Sequence, residues 1–305
     1  MSNRLTDIVR KELERPVPPE ARTLANTLAA ESGSAVLAIL FYGSCLRNQT
    51  SEGVLDFYIL VDKYSDYHPN LLGAAANALL PPTVQYRPGD AARAKIAVVT
   101  LDAFAGRMRP DSNDTTMWAR FCQPAALLYA RDAESADATV EAIADAIATG
   151  AVWARRLGSD GGSSADLWTA LFRNTYGAEL RVEDGGDRGQ EIYYQAADYF
   201  DKMLDPALDL ANGKRHLKGW TSPSHRNTKR HFQRVWRRKR LYGKFFNISR
   251  LIKAAFTFDQ KVEYIEWKIE RHTGRPLQLT DFQKRHPLIA APRVLWKLWR
   301  QGAIR

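Results

Sequence analysis

The chain has 305 residues, 45% of them hydrophobic and 26% charged, which excludes a disordered or fibrous polypeptide and allows two domains around a sizeable core. Its net charge of +10 is unevenly placed: residues 206–305 hold 24 Lys and Arg against 6 Asp and Glu, while the first 205 residues are net negative, so an anionic partner, nucleic acid or lipid, belongs to the C-terminal third. Cys45 and Cys122 have no paired spacing, which argues against a disulfide scaffold or a zinc site, and the sequence shows neither a signal-peptide core nor an apolar run near the ~20 residues a bilayer span needs.

In chain order, residues 21–32 are helical by period, and 35–42 form an apolar run after Gly-Ser that reads as a buried strand. Leu55–Val61 is a second strand, apolar on both faces and therefore central. Residues 66–80 read as helix up to Pro81-Pro82. Further strands are expected around Thr83–Arg87, Lys95–Thr100 and Ala125–Ala130, and an Ala-rich helix near 133–156. Together they make a small α/β (α+β) unit with a mixed sheet. Gly158–Ser164 is the best linker, followed by helices over Ala165–Arg181 and Gln190–Leu204 with a Gly-rich turn between them. From 214 the chain is basic and aromatic, with helical stretches near 228–257, 259–272 and 288–301. The expected domains are thus 1–157, 158–213 and 214–305.

The chemistry concentrates in residues 39–62. An apolar strand ends in Gly43-Ser44, and Asp56 stands alone inside the next strand. A strand that turns into a helix at Gly-Ser exposes backbone N–H donors and a helix dipole that favour phosphate. Gly43 permits close approach, the Ser44 hydroxyl adds a donor, and Arg47, one turn on, reaches for a triphosphate. Asp56 on the adjacent strand suits Mg2+, which takes oxygen ligands and bridges triphosphate oxygens. This is the outline of a nucleotidyltransferase site. The usual pattern has a second carboxylate two residues after the first, where this chain has Tyr58. Asp62 shares the parity of Asp56, but six strand residues span about 20 Å, too far to share one ion. Ala94–Thr100 offers Lys95 and no acid where a third carboxylate is often found.

These residues resemble the mitochondrial-type CTP:phosphatidate cytidylyltransferases, the translocator assembly and maintenance family. Tyr42-Gly43-Ser44 is similar to that family's Tyr-Gly-Ser, and Asp56-Phe57-Tyr58-Ile59-Leu60-Val61-Asp62 to its Asp-Phe-x-x-x-Val-Asp strand. His68 and Asn70 stand near a family His and Asn, at shorter spacing. Lys95 matches a Lys that opens a later strand. Ala119-Arg120 and Gln123-Pro124 echo a Gly-Arg-x-x-Lys-Pro segment, and Thr175-Tyr176-Gly177-Ala178-Glu179-Leu180-Arg181 echoes Ser-Tyr-x-Gly-Asp-x-Arg.

The resemblance spans roughly residues 35–200. It implies a nucleotidyltransferase domain, a winged-helix-like helical domain and an amphipathic C-terminal membrane contact. The implied reaction makes CDP-diacylglycerol and pyrophosphate from CTP and phosphatidate, a step of phospholipid biosynthesis on the cardiolipin route. The implied site has Tyr42, Gly43, Ser44 and Arg47 at the nucleotide, Mg2+ on Asp56 with Asp62 in the pattern, and Lys95 and Arg120 steadying charge. The Ala-rich composition points to a bacterial relative, peripheral on the cytoplasmic face of the inner membrane.

In the tail, residues 231–246 alternate cations with aromatics, and Leu288, Ala291, Leu295 and Trp299 fall at helical spacing beside Arg293, Lys297 and Arg300. Trp with Lys and Arg on an amphipathic helix suits a lipid headgroup interface. The same composition suits RNA, through phosphate contacts and base stacking, or a helix packed on its own domain. A phosphatidate substrate favours membrane over nucleic acid. Two other functions fit the motif: a nucleotidyltransferase acting on RNA, protein or a small molecule, and a non-catalytic nucleotide-binding relative.

Overall fold

A computed structural model describes residues 3–68, 71–89, 92–176, 185–217, 220 and 228–257. The fold is α+β. Its five strands are β1 (Val36–Tyr42), β2 (Val54–Val61), β3 (Thr83–Arg87), β4 (Arg93–Thr100) and β5 (Ala125–Ala130), in the spatial order β3-β4-β2-β1-β5. β2 and β4 are parallel and every other pair is antiparallel, so the sheet is mixed. The helices described are α1 (Arg4–Leu13), α2 (Pro19–Ser32), α3 (Ser44–Arg47), α4 (Tyr64–Tyr67), α5 (Leu71–Leu79), α6 (Leu101–Arg107), α7 (Thr115–Phe121), α8 (Ala133–Leu157), α9 (Ser164–Tyr176), α10 (Gly185–Tyr194), α11 (Ala197–Gly213) and α12 (Thr228–Thr257).

The central strands are apolar on both faces because both faces are covered. Ile39, Phe41, Leu55, Phe57, Ile59, Ile96 and Val98 pack against Ala21, Ala25 and Leu28 of α2 and against Cys45 and Leu46 of α3. Ala38, Leu40, Tyr42, Tyr58, Leu60, Ala97 and Val99 face a larger core built with α1, α6 to α9, α11 and α12. A register shift between Val36 and Ala38 lets Val36 join the first face while Ala38 joins the second. One extra residue in a strand reverses the alternation beyond it.

Local chemistry sets the helix ends. Asn3 and Thr6 form a capping box on α1. Asp132 caps the 25-residue α8 by accepting from the Ser135 amide at 2.7 Å. Gly150, in the middle of α8, lies where α7 and α9 cross: a Cβ there would stand 3.0 Å from Cys122 Cβ and 3.1 Å from the Trp168 ring.

Each expected strand is present. The expected helix over 66–80 is two helices, α4 and α5, and His68 between them is extended (φ −89°, ψ 134°). Proline at 69 disfavours helical backbone in the residue before it. Among the described residues α1, α6 and α7 were not legible in the sequence, having ten residues or fewer, and the expected helix over Gln190–Leu204 is two, α10 and α11, with α10 beginning inside the expected Gly-rich turn. The Gly-Ser segment after α8 is a turn, and α9 folds back so that Trp168 and Phe172 meet Phe200 of α11 at 5.0 and 5.2 Å. The core is continuous across it.

The basic C-terminal segment is helical over Thr228–Thr257, as its period indicates. Its aromatics turn inward: Phe232 and Trp236 are buried against Trp153 of α8, with ring centroids 6.2 and 5.1 Å away. Spacing of four residues puts them on one stripe of α12. The expectation that aromatics and cations of this stretch together meet a membrane is corrected to that extent, while Arg234, Arg237, Arg238 and Arg240 remain on the outer face with Leu241 and Tyr242. The stripe from Leu288 to Arg300 lies outside the described residues, as do Asn70 and Gly177 to Arg181.

Candidate active site

The site is organised by one rung of the sheet. Tyr42 on β1 pairs with Asp56 on β2, Asp56 pairs with Lys95 on β4, and Lys95 pairs with Tyr86 on β3. Asp56 and Lys95 share a sheet face, since each continues the alternation of Tyr58 and Ala97 in the larger core. A carboxylate and an ammonium thus emerge side by side from adjacent strands, about 4.8 Å apart at the backbone. Both are half-buried.

Directly after Tyr42 the chain turns at Gly43, with φ 92° and ψ −164°, into α3. Two independent facts require glycine here. The backbone is in a region that side chains resist, and a Cβ at Gly43 would stand 2.7 Å from Oδ2 of Asp56. The bare Cα is what lets the carboxylate lie against the turn. Ser44 opens α3 and is exposed. The first turn of a helix leaves its leading amides without intrahelical partners, so the turn presents donors beside the carboxylate.

Tyr58 shows why the second carboxylate is missing. Its side chain is 1% exposed and wrapped by Tyr42, Phe104 and Phe121, at ring distances of 5.5, 6.2 and 4.9 Å. Burial pushes its hydroxyl above the ordinary tyrosine range. Arg120 of α7 donates to that hydroxyl at 3.4 Å, which brings Arg120 to the same face, one alternation along β2 from Asp56. The Tyr42 ring belongs to the same aromatic cluster, packed on Phe121 at 5.5 Å. Tyr42 therefore acts on the site by placing the glycine that follows it.

Arg47 is where the helical part of the chain meets the site. Its Nε donates to Oε1 of Gln195, which follows α10, at 3.1 Å. Burial pushes its guanidinium below the ordinary value, with Arg188 adding to the effect and Tyr176, Asp56 and Glu191 opposing it. Arginine stays charged through such shifts, so a partly desolvated cation stands within reach of Asp56. Tyr176, singled out by the sequence echo, ends α9 beside it. Arg188, Glu191 and Gln195 carry no sequence signal; they arrive some 140 residues later through the packing of α10 on α9.

Other sequence expectations are not brought together. Asp62 follows the far end of β2, is exposed, and lines a surface depression with Glu31, Ser34, Asp66 and Arg131. It does not join Asp56, as strand rise indicates, and the place of Asp62 in the metal pattern that the resemblance implies is corrected accordingly. His68 lies with Asn77, whose Nδ2 is 3.0 Å from its Nε2 and donates to the Val98 carbonyl at 3.2 Å. The His68 ring lies 6.4 and 5.4 Å from those of Tyr64 and Tyr67, which pack against the opposite sheet face.

Among the described residues no three His, Cys, Asp or Glu side chains gather as a metal cage. A single carboxylate nonetheless fits Mg2+, which commonly keeps several waters and binds through one or two carboxylates plus substrate phosphates.

No protein-family model and no curated protein matches the chain. Among solved structures it is similar to a nucleotidyltransferase-like protein from Exiguobacterium sibiricum 255-15, with 9% identity over 92% of this chain and 91% of that one, at a TM-score of 0.28. Similarity at that level carries no argument about fold or activity, and the functional reading rests on the site.

Proposed function

We propose that the chain is a nucleotidyltransferase, and specifically that it transfers a cytidylyl group from CTP to phosphatidate. The observation that carries the reading is the contact of Asp56 with Gly43, in register with Lys95 and flanked by Arg47 and Arg120. A lone carboxylate pressed on a Gly-Ser turn, ringed by three cations, is an arrangement for holding a metal-bound polyphosphate.

Asp56 would hold Mg2+, which when bound offsets charge on the attacked phosphate and the departing pyrophosphate. The Gly43-Ser44 turn offers donors to the phosphate chain, and Arg47, Lys95 and Arg120 steady its charge. One phosphate oxygen of the acceptor bonds to the α-phosphorus of CTP, and the bond to the β-phosphate oxygen breaks. Among the described residues no carboxylate follows Asp56 on its face of β2, because Tyr58 fills that position. A phosphate monoester, with its second pKa near 6, is already ionised at neutral pH and needs none, which favours a phosphate acceptor over a hydroxyl one.

The choice of lipid rests on the sequence resemblance and on the exposed arginines of α12, which suit an anionic surface. No described helix is long and apolar enough to cross a membrane, in keeping with a peripheral placement. The test is incubation of the full chain with labelled CTP, phosphatidate vesicles and Mg2+, with tRNA and ATP as the competing pair. CDP-diacylglycerol from wild type and none from Asp56→Asn upholds the reading. Label in tRNA without lipid product overturns it.

A further inference from the structure

Arg47 and Arg188 are held by one chain of hydrogen bonds. Arg47 Nε donates to Gln195 Oε1 at 3.1 Å, Gln195 Nε2 donates to Glu191 Oε1 at 3.0 Å, and Arg188 Nη1 donates to Glu191 Oε2 at 2.6 Å. Both carboxylate oxygens of Glu191 and both amide atoms of Gln195 are used. The relay joins α3, next to the Asp56 turn, to α10. Two like charges are thereby fixed near each other, and they repel. Arg188 also bonds to Tyr176, and with Glu191 this outweighs burial and keeps its guanidinium firmly charged. Its Nε is buried with no partner among the described residues.

Within the relay Glu191 offsets one of the two arginines, so the pair keeps one positive charge for an anionic ligand. Arg47 closes α3, one turn after Gly43, and the relay runs on from it to Arg188 of α10, so Arg188 lies beyond Arg47 along the relay from the turn. We propose that Arg188 is the binding residue for the acceptor's phosphate, with Arg47 shared between acceptor and nucleotide and with Glu191 and Gln195 as positioning residues. This assignment rests on the nucleotidyltransferase reading of the site, and it adds a phosphate-monoester subsite that spans α3 and α10.

The experiment uses the full chain as wild type, Arg188→Ala and Arg188→Lys. The kinetic arm measures KM for phosphatidate and Kd for Mg-CTP. Arg188→Ala is expected to raise the phosphatidate KM by about tenfold or more, as loss of a charged hydrogen bond does, with Mg-CTP affinity unchanged and partial recovery in Arg188→Lys. An unchanged phosphatidate KM, or an equal loss of Mg-CTP affinity, overturns the assignment. The binding arm titrates glycerol 3-phosphate, a soluble phosphate monoester, in the presence of Mg2+ and a non-hydrolysable CTP analogue. If wild type makes no lipid product, the lipid reading falls and this arm still decides the subsite: binding that Arg188→Ala abolishes supports it, and binding indifferent to Arg188, or no binding, overturns it.

Discussion

The Asp56 carboxylate rests against the Cα of Gly43, at a distance that leaves no room for a methyl group. The turn after β1 supplies the glycine and β2 the acid, and the antiparallel register of the two strands brings Asp56 opposite Tyr42, one residue before the turn. Chemistry and backbone shape at the site are therefore a single feature.

That contact gives the first prediction. Gly43→Ala forces a side chain into a backbone region that costs about 1–3 kcal/mol and drives the Asp56 carboxylate from its place. Transfer activity should fall by about a hundredfold or more, since displacing a reacting group by even 1 Å can cost that much. Steady-state rates alongside thermal unfolding check it, and a Gly43→Ala protein that keeps its activity would refute the contact's role.

A second prediction concerns Arg120. In Tyr58→Phe the aromatic packing stays and the acceptor for the Arg120 guanidinium goes. Loss of one such hydrogen bond costs about 1 kcal/mol, so stability should change little. Arg120 loses an anchor, and the rate should fall severalfold with a smaller change in CTP affinity. Activity kept in Arg120→Ala but lost in Tyr58→Phe would show that the hydroxyl, not the cation, matters.

A third prediction concerns the seat of α12. Arg250 bonds to both the Pro81 carbonyl and Asp114, and Asp114 is buried with Arg107 as its other cation, at 3.6 Å. Arg250→Ala leaves that carboxylate poorly compensated, which costs about 3 kcal/mol when an ion-pair partner is removed from a buried site. Chemical denaturation should show that loss, and Asp114→Asn in the same background should restore part of it.

The fourth is a pH dependence. Lys239 is 2% exposed, donates to the Ser112 carbonyl and lies 5.4 Å over the Trp153 ring. Burial pushes its ammonium down to about 8 from an ordinary 10.5, with Asp111 opposing and Arg156 and Arg238 adding to the effect. Below pH 8 folded and unfolded chains both hold the proton, and the folded chain bears the cost of burying it. Between about 8 and 10.5 the unfolded chain binds more protons, so this group's contribution to stability rises with pH, by on the order of 3 kcal/mol in full. The difference in unfolding free energy between wild type and Lys239→Met, measured from pH 7 to 10, should move in favour of wild type. A flat difference would contradict it.

The strands, and the Gly43–Asp56 juxtaposition on which the candidate site is built, were legible because their signals are local. An apolar run closed by Gly43, and one acid at Asp56 inside the next run, each need only a few neighbours to be read. Arg188, Glu191 and Gln195 were not legible, since polar residues on a short helix look like any solvated surface until α10 is placed beside α3. Asp62 fits the pattern in sequence, yet strand rise carries it to the other end of β2.

The sequence by itself determined the alternation of the strands, the glycine at the turn, the acid that faces it and the charge of the last third, because covalent spacing and side-chain type decide these. Tertiary structure alone decided that Lys95 stands beside Asp56, that Phe232 and Trp236 turn inward, and that two distant arginines share one relay. Those outcomes follow from register and packing between segments far apart in the chain, and no local spacing encodes them.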